Sequence, residues 1–262
     1  MVEGMNPGTA LEKAPVLEIT DASKYFGGVA AVHEVTLVLL QGERRTLIGP
    51  NGAGKTTLFN LVTGELSLDG GQIHLFGRNA TDLSVQRRKN LGLCRTYQIS
   101  NLFLGLTVEE NFFLAVDGSR MPKPWRLWES DKERRGKAYE ACRRVGLESR
   151  FRSSVDKLSH GERRQLEVGL ALATDPKLIL LDEPCAGLSP TERKQMMDLI
   201  AGLDPGVTVL LIEHDMDIAL RVADRVTVMN EGEVVAEGNP DQIRSNELVQ
   251  RIYMGEKEHY DG

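Results

Sequence analysis

A chain of 262 residues, 41% hydrophobic and 27% charged, is long enough for one large α/β domain or two lobes sharing a core, and its composition is that of a soluble globular protein. Its longest apolar runs, such as Val207 to Ile212, have the length of a strand, which excludes a span across a bilayer. The formal net charge of −6 lacks the basic footprint of a general nucleic-acid binder, so nucleic acid is not an expected partner.

Met1 to Ala14 carries two glutamates and a proline, with no basic region followed by an apolar core. Residues 1–14 therefore read as a flexible tail rather than a secretory signal, ahead of a single domain over 15–262. From Val16 to Phe76, short β-rich pieces (Val16 to Ile19, Val35 to Leu40, Arg44 to Ile48, Gln72 to Phe76) alternate with glycine-containing turns, and one helix after Lys55 interrupts them. This predicts an α/β core with an attached β lobe. From about Leu83 to Ala173 the character changes to charged, helix-compatible segments, including Thr107 to Val116 and Glu129 to Val145, which predicts an inserted helical lobe over about 83–173. The core then resumes over about 174–262. Strand-like Leu178 to Asp182, Thr208 to Ile212 and Arg225 to Met229 alternate with helix-like Pro190 to Gly202 and Met216 to Ala223, the pattern of a parallel sheet with crossover helices. Asn230-Glu231-Gly232 reads as a hairpin turn and Pro240 to Met254 as closing helices. Cys94, Cys142 and Cys185 are odd in number and far apart, which fits neither a disulfide framework nor a zinc site and predicts a reducing cytosol.

The motif richest in chemistry is Gly49-Pro50-Asn51-Gly52-Ala53-Gly54-Lys55-Thr56-Thr57, directly after the apolar stretch Thr46-Leu47-Ile48. It has the strand, glycine loop and helix order of a phosphate-binding P-loop. Glycines let backbone N–H groups close around phosphates, Lys55 supplies a cation, and Thr56 offers a hydroxyl to Mg2+. Downstream, the apolar run Leu178 to Leu181 ends in Asp182 and Glu183. In P-loop proteins the strand-end aspartate helps hold magnesium, so Asp182 is the metal-side group and Glu183 is positioned to polarise a water. Leu158-Ser159-His160-Gly161-Glu162 precedes a helix that Ser159 is suited to cap, with Glu162 as its reciprocal partner.

Together with Gln98 and Glu213-His214, these elements form an ordered set that resembles the ATP-binding cassette (ABC) ATPase family, from about Val16 to Gly255. The resemblance implies an α/β fold, a P-loop NTPase core with an N-terminal antiparallel β lobe and an inserted helical lobe, acting on ATP with Mg2+. It also implies roles. Phe26 looks like the aromatic that stacks on adenine, with Tyr25 as the other candidate and an ordinary strand-end aromatic as the plainer reading. Gly49 to Thr57 is similar to the Walker A loop, and Asp182 with Glu183 to the Walker B metal ligand and catalytic base. Gln98 resembles the Q-loop glutamine that touches magnesium or water, and His214 the switch histidine at the γ-phosphate. Ser159 and Gly161 resemble the signature-motif contacts to ATP held by an opposite subunit. Two positions depart from the family pattern and bear on the dimer contacts: His160, commonly glycine, and Ser189, often aspartate.

Arg95-Thr96-Tyr97-Gln98, Ile212 to Met216 and Ile252 to Glu256 look like the larger ATPase subunit of branched-chain, or hydrophobic, amino acid importers. Related cassettes for urea or amide uptake or lipopolysaccharide export share much of this sequence. The implied partners are a second cassette (a copy of itself or a paired one), transmembrane permease subunits and, for an importer, a periplasmic substrate-binding protein. The implied location is cytoplasmic, peripheral on the inner face of the membrane. A GTPase reading lacks the Asn-Lys-x-Asp guanine motif, and a non-transport ABC protein would show a tandem cassette, a long coiled coil or a basic surface. Ile99, Leu102, Phe103 and Leu106 form an apolar cluster after Gln98, read either as lobe core or as a surface coupled to a permease.

Overall fold

The structure, a computed structural model, describes residues 14–96, 102–118 and 131–258. It opens with a long antiparallel hairpin, β1 (Pro15–Phe26) and β2 (Val29–Leu40). β4 (Gly70–Leu75) and β5 (Arg78–Asn79) extend this into a four-stranded sheet of order β2-β1-β4-β5. Between them lie β3 (Arg44–Ile48) and α1 (Lys55–Thr63), which belong to the second sheet and its covering layer. That sheet takes β6 (Leu93–Arg95), β7 (Leu178–Asp182), β8 (Thr208–Ile212), β9 (Arg225–Asn230) and β10 (Glu233–Gly238), in the order β10-β9-β3-β8-β7-β6. All its pairings are parallel except the β9–β10 hairpin.

The central strands β7 and β8 read as near-continuous apolar runs because both of their faces are covered. Every residue of β7 and of β8 is buried. Alternate side chains of β7 enter different cores, as the strand period of two requires. Leu178 and Leu180 pack with the β lobe and with Leu58, Phe59, Leu61 and Val62 of α1. Ile179 and Leu181 pack on the opposite face, with α6 (Pro190–Ala201) and with the helical segments α3 (Val108–Gly118), α4 (Asp131–Arg144) and α5 (His160–Leu172). The short helices α7 (Met216–Val222) and α8 (Pro240–Arg244), with α9 (Glu247–Glu258), form a third core against β9.

Four elements differ from the sequence reading. β1 runs on past Ile19 to Phe26 and β2 starts at Val29 rather than Val35, because the register slips between Ile19 and Lys24 and left-handed residues at Asp21 and Glu34 absorb the bend. Those bulges erase the alternation that marks a strand. β6 is a strand inside the stretch, about 83–173, read as the inserted helical lobe. Its three residues pair with the edge of β7, so the helical insertion follows this strand in the chain. The preceding helix α2 (Val85–Leu91) also belongs with the core, through Arg88. Its buried guanidinium donates to Leu61 O and Val62 O at the end of α1 (2.6 and 2.8 Å), and to Thr81 O and Leu83 O (2.8 and 2.9 Å). It neutralises the carbonyl end of α1.

Candidate nucleotide-binding and hydrolysis site

β3 delivers the chain to Gly49, and the loop 49–54 turns it into α1 at Lys55. A Cβ on Gly54, at φ +96°, would sit 2.2 Å from Ala31 O, so the loop presses backbone to backbone on β2 where only glycine fits. The β9–β10 turn holds the arrangement, since Gly232 N donates to Ala53 O and Gly232 O accepts from His33 N. Gly54 is the N-cap of α1 and contributes no side-chain cap, which leaves the first N–H groups of the helix directed at the loop. The buried Lys55 folds back over the loop, and its Nζ donates to Gly49 O (2.6 Å) and Pro50 O (2.8 Å). Asn51, Gly52 and Thr56 are exposed, Pro50 and Thr57 half-buried, and Ala53 buried. Lys55 and the uncapped amides thus converge on one concave turn suited to phosphate.

Parallel pairing brings the carboxyl ends of β3, β8 and β7 to the same edge of the sheet, the edge where α/β proteins hold ligands. Asp182 ends β7, buried. Its Oδ2 accepts from Arg95 Nη2 at 2.7 Å, while its Oδ1 has no hydrogen-bond partner among the described residues. Glu183 follows at φ +48°, a strained conformation for a non-glycine residue, and its N–H donates to Ile212 O at 3.0 Å. The twist turns its carboxylate toward His214, with Oε1 at 4.0 Å from Nδ1. The residues Asp182, Glu183 and His214 are thereby gathered. Gln98 lies outside the described residues, as does Ile99.

A hard divalent cation is suited by oxygen donors and keeps several waters and phosphate oxygens in its shell. Thr56 on the first turn of α1 and the orphaned Asp182 Oδ1 are such donors. Among the described residues, no group of His, Cys, Asp and Glu could enclose an ion by itself. The donors present fit Mg2+ arriving with a nucleotide.

Phe26 closes β1 at the hairpin tip with 49% of its surface exposed, and Lys24 Nζ lies 5.7 Å from its ring centroid. The Tyr25 hydroxyl is engaged with His33 Nδ1 at 3.3 Å. Phe26 thus has the more available ring. Ser159 caps α5 in a reciprocal capping box with Glu162. Its Oγ also donates to Glu192 Oε1 (3.3 Å), which accepts from Gly161 N as well (3.1 Å). Glu192 Oε2 meanwhile closes the box of Ser189 on α6. Ser159 and Gly161 therefore meet the first turn of α6 in their own chain. His160 is exposed, and Ser189 serves as a helix cap.

The sequence reading missed three residues here. Arg95 and Glu192 act through partners far away in the chain, and Glu213 gave only half of a dipeptide signal. Glu213 is 0% exposed; its Oε1 accepts from Cys185 N at 3.3 Å and its Oε2 has no partner among the described residues. Burial pushes its carboxyl up to about 7, with Glu183 and Asp215 adding to the rise and the Cys185 hydrogen bonds opposing it. Burial likewise pushes the Cys185 thiol up to about 12, which keeps it an inert packing group.

A family model described as ABC transporter matches residues 32–186, from β2 through the P-loop to the loop after β7. The chain belongs to the ABC transporter ATP-binding family. A second model, described as branched-chain amino acid ATP-binding cassette transporter, matches residues 233–259 of this ABC cassette. The cassette is 38% identical to the high-affinity branched-chain amino acid transport ATP-binding protein LivG of Salmonella typhimurium, over 92% of this chain and 98% of the relative. Among solved structures it is similar to the ADP conformation of an ATP-binding cassette of an ABC transporter, with a TM-score of 0.82, 30% identity, and 92% and 99% of the two chains covered. It is also similar to a dimeric cassette in a post-hydrolysis state bound to ADP and Pi, with a TM-score of 0.74, 27% identity, and 86% and 98% covered. The family binds and hydrolyses ATP, and the fold is its P-loop core with an antiparallel β lobe and an inserted helical lobe.

Proposed function

We propose that this cassette is the ATP-hydrolysing subunit of a membrane transporter that imports branched-chain or other hydrophobic amino acids. The observation that carries the substrate class is the match of 233–259, at the carboxyl end and apart from the nucleotide motifs, to the branched-chain amino acid model. The reaction is ATP plus water to ADP and phosphate. In this reading Phe26 stacks on adenine, while the amides of Gly49 to Thr57 and the Lys55 ammonium hold the phosphates. Glu183 takes a proton from the attacking water, and His214, at 4.0 Å from it, contacts the γ-phosphate. Thr56, Asp182 and Gln98 would hold Mg2+, which would offset the negative charge of the phosphates. Ser159 and Gly161 reach ATP on a second cassette, so two chains make each complete site.

No helix among the described residues is long and apolar enough to cross a membrane. The cassette in this reading acts on the cytoplasmic face, against permease subunits that carry the pathway, and a periplasmic binding protein delivers the cargo. Reconstitution with its permeases and binding protein in proteoliposomes tests the proposal. Leucine- or valine-class uptake that depends on ATP inside is expected. Uptake of urea or short amides instead overturns the substrate class, and ATP turnover that drives no transport overturns the transporter reading.

A further inference from the structure

The strand-end carboxylate Asp182 is not held by the P-loop or by the strand alone. Arg95, the last residue of the edge strand β6, reaches along β7 to it. Its Nη2 meets Asp182 Oδ2 at 2.7 Å, while its Nη1 donates to Asn60 Oδ1 (2.5 Å) and to Glu65 Oε2 (3.0 Å). The guanidinium also sits 5.7 Å from the centroid of the Phe59 ring. Both side chains of the Arg95–Asp182 pair are almost wholly buried, 7% and 1% exposed. Phe59 and Asn60 belong to α1 and Glu65 lies just past its end, and α1 is the helix whose first turn carries Lys55 and Thr56. One planar cation thus spans the phosphate-binding helix and the end of the catalytic strand. A fork of rigid donors can do this; an ammonium could not satisfy all three acceptors in these directions.

We propose that Arg95 is a positioning residue for the divalent cation: it holds Asp182 by Oδ2, so that Asp182 reaches the metal through Oδ1 alone and at a fixed distance from Thr56. The inference rests on the reading of Asp182 as a metal-side group. Two observations agree on it. Oδ2 is committed to the guanidinium, and Oδ1 is the buried oxygen left without a partner among the described residues. Without the guanidinium the carboxylate would turn freely about its terminal torsion, and its charge would be buried uncompensated. Groups that orient a metal ligand from behind carry about 10- to 100-fold in metal affinity.

The test is Mn2+ binding to the full-length protein saturated with ADP, followed by electron paramagnetic resonance, together with metal-free ADP binding and the thermal midpoint. Arg95→Ala is expected to weaken Mn2+ by about 10- to 100-fold while metal-free ADP binding stays within about twofold, and Arg95→Lys, which keeps one contact to Asp182, should fall between. Wild-type or tighter Mn2+ affinity in a folded Arg95→Ala protein overturns the proposal. If that variant does not fold, Arg95→Lys decides alone: an unchanged Mn2+ affinity overturns the proposal and a loss supports it. Asp182→Asn separates the two readings. If Asp182→Asn weakens Mn2+ and Arg95→Ala does not, only the role of Arg95 is lost; if Asp182→Asn has no effect, the metal-side reading of Asp182 and the inference built on it both fall.

Discussion

Glu183 Oε1 and His214 Nδ1 stand 4.0 Å apart, each one residue or two beyond the ends of the adjacent parallel strands β7 and β8. The left-handed backbone at Glu183 turns its side chain out of the strand's alternation toward the neighbouring strand end. Strain of this kind persists where surrounding structure enforces it, here the hydrogen bond from Glu183 N to Ile212 O.

Replacing Glu183 by Gln keeps the shape and removes the proton acceptor. ATP binding is expected to persist while single-turnover hydrolysis slows by roughly 10²- to 10⁴-fold, the scale of a positioned general base. A variant that hydrolyses at the wild-type rate would remove Glu183 from that role.

Lys55→Ala takes away the cation that leans over the loop toward Gly49 O and Pro50 O. A charged hydrogen bond contributes about 1.5–3 kcal/mol, so Mg-ATP affinity should fall by at least about tenfold. Calorimetric titration measures it, and unchanged affinity would place the phosphates elsewhere.

Glu213 gives the protein a pH-dependent stability. Its carboxyl is raised from 4.5 to about 7 by burial, so the folded state holds the proton more tightly than the unfolded chain does. This contribution is fully present below pH 4.5 and is lost as pH rises toward and through 7. Glu213→Gln mimics the protonated acid, and its thermal midpoint should exceed that of wild type at pH 8 by more than at pH 5. Equal differences at the two pH values would show that Glu213 does not titrate on folding.

Ser159→Arg should leave ATP binding by the single chain intact and block hydrolysis in the assembled complex. Ser159 and Gly161 meet Glu192 of their own chain, so in the proposed two-cassette site an opposing γ-phosphate would have to take over these donors from a carboxylate. A bulky cation prevents that approach. Normal hydrolysis by the variant in a reconstituted complex would end the composite-site reading.

The apolar cluster after Gln98 divides among its described residues. Leu102 is in the helical core, whereas Phe103 is 57% exposed beside the exposed Leu104. Asn111 pins the Phe103 backbone from both sides, accepting from its N–H and donating to its carbonyl, beneath the exposed ring. Phe103→Glu is expected to spare the isolated protein's ATP hydrolysis and to reduce transport in proteoliposomes. Intact transport would show that this is not the permease-facing surface.

What the sequence made legible is what chemistry requires to be contiguous. The P-loop needs its glycines, lysine and threonine within one turn, and Asp182-Glu183 follows its apolar strand directly, so both are visible without a fold. Arg95 was not legible, because its meaning depends on Asp182, 87 positions away. Glu192 stands in the first turn of α6 next to its cap Ser189, and only the approach of α5 to α6 gives it Gly161 as a second partner. β6 is too short for any periodicity to show. The bulged halves of β1 and β2 carry polar residues on a strand that bends out of phase.

Arg88 makes the phosphate-binding helix a strut clamped at its far end. A rod with a loose end would absorb a push by sliding, but the guanidinium grips Leu61 O and Val62 O and ties them to Thr81 O and Leu83 O. The far end of α1 and the start of α2 are therefore held as one piece, and α2 leads through the Gly92 cap to β6. The buried Arg88 guanidinium is the bolt of that joint.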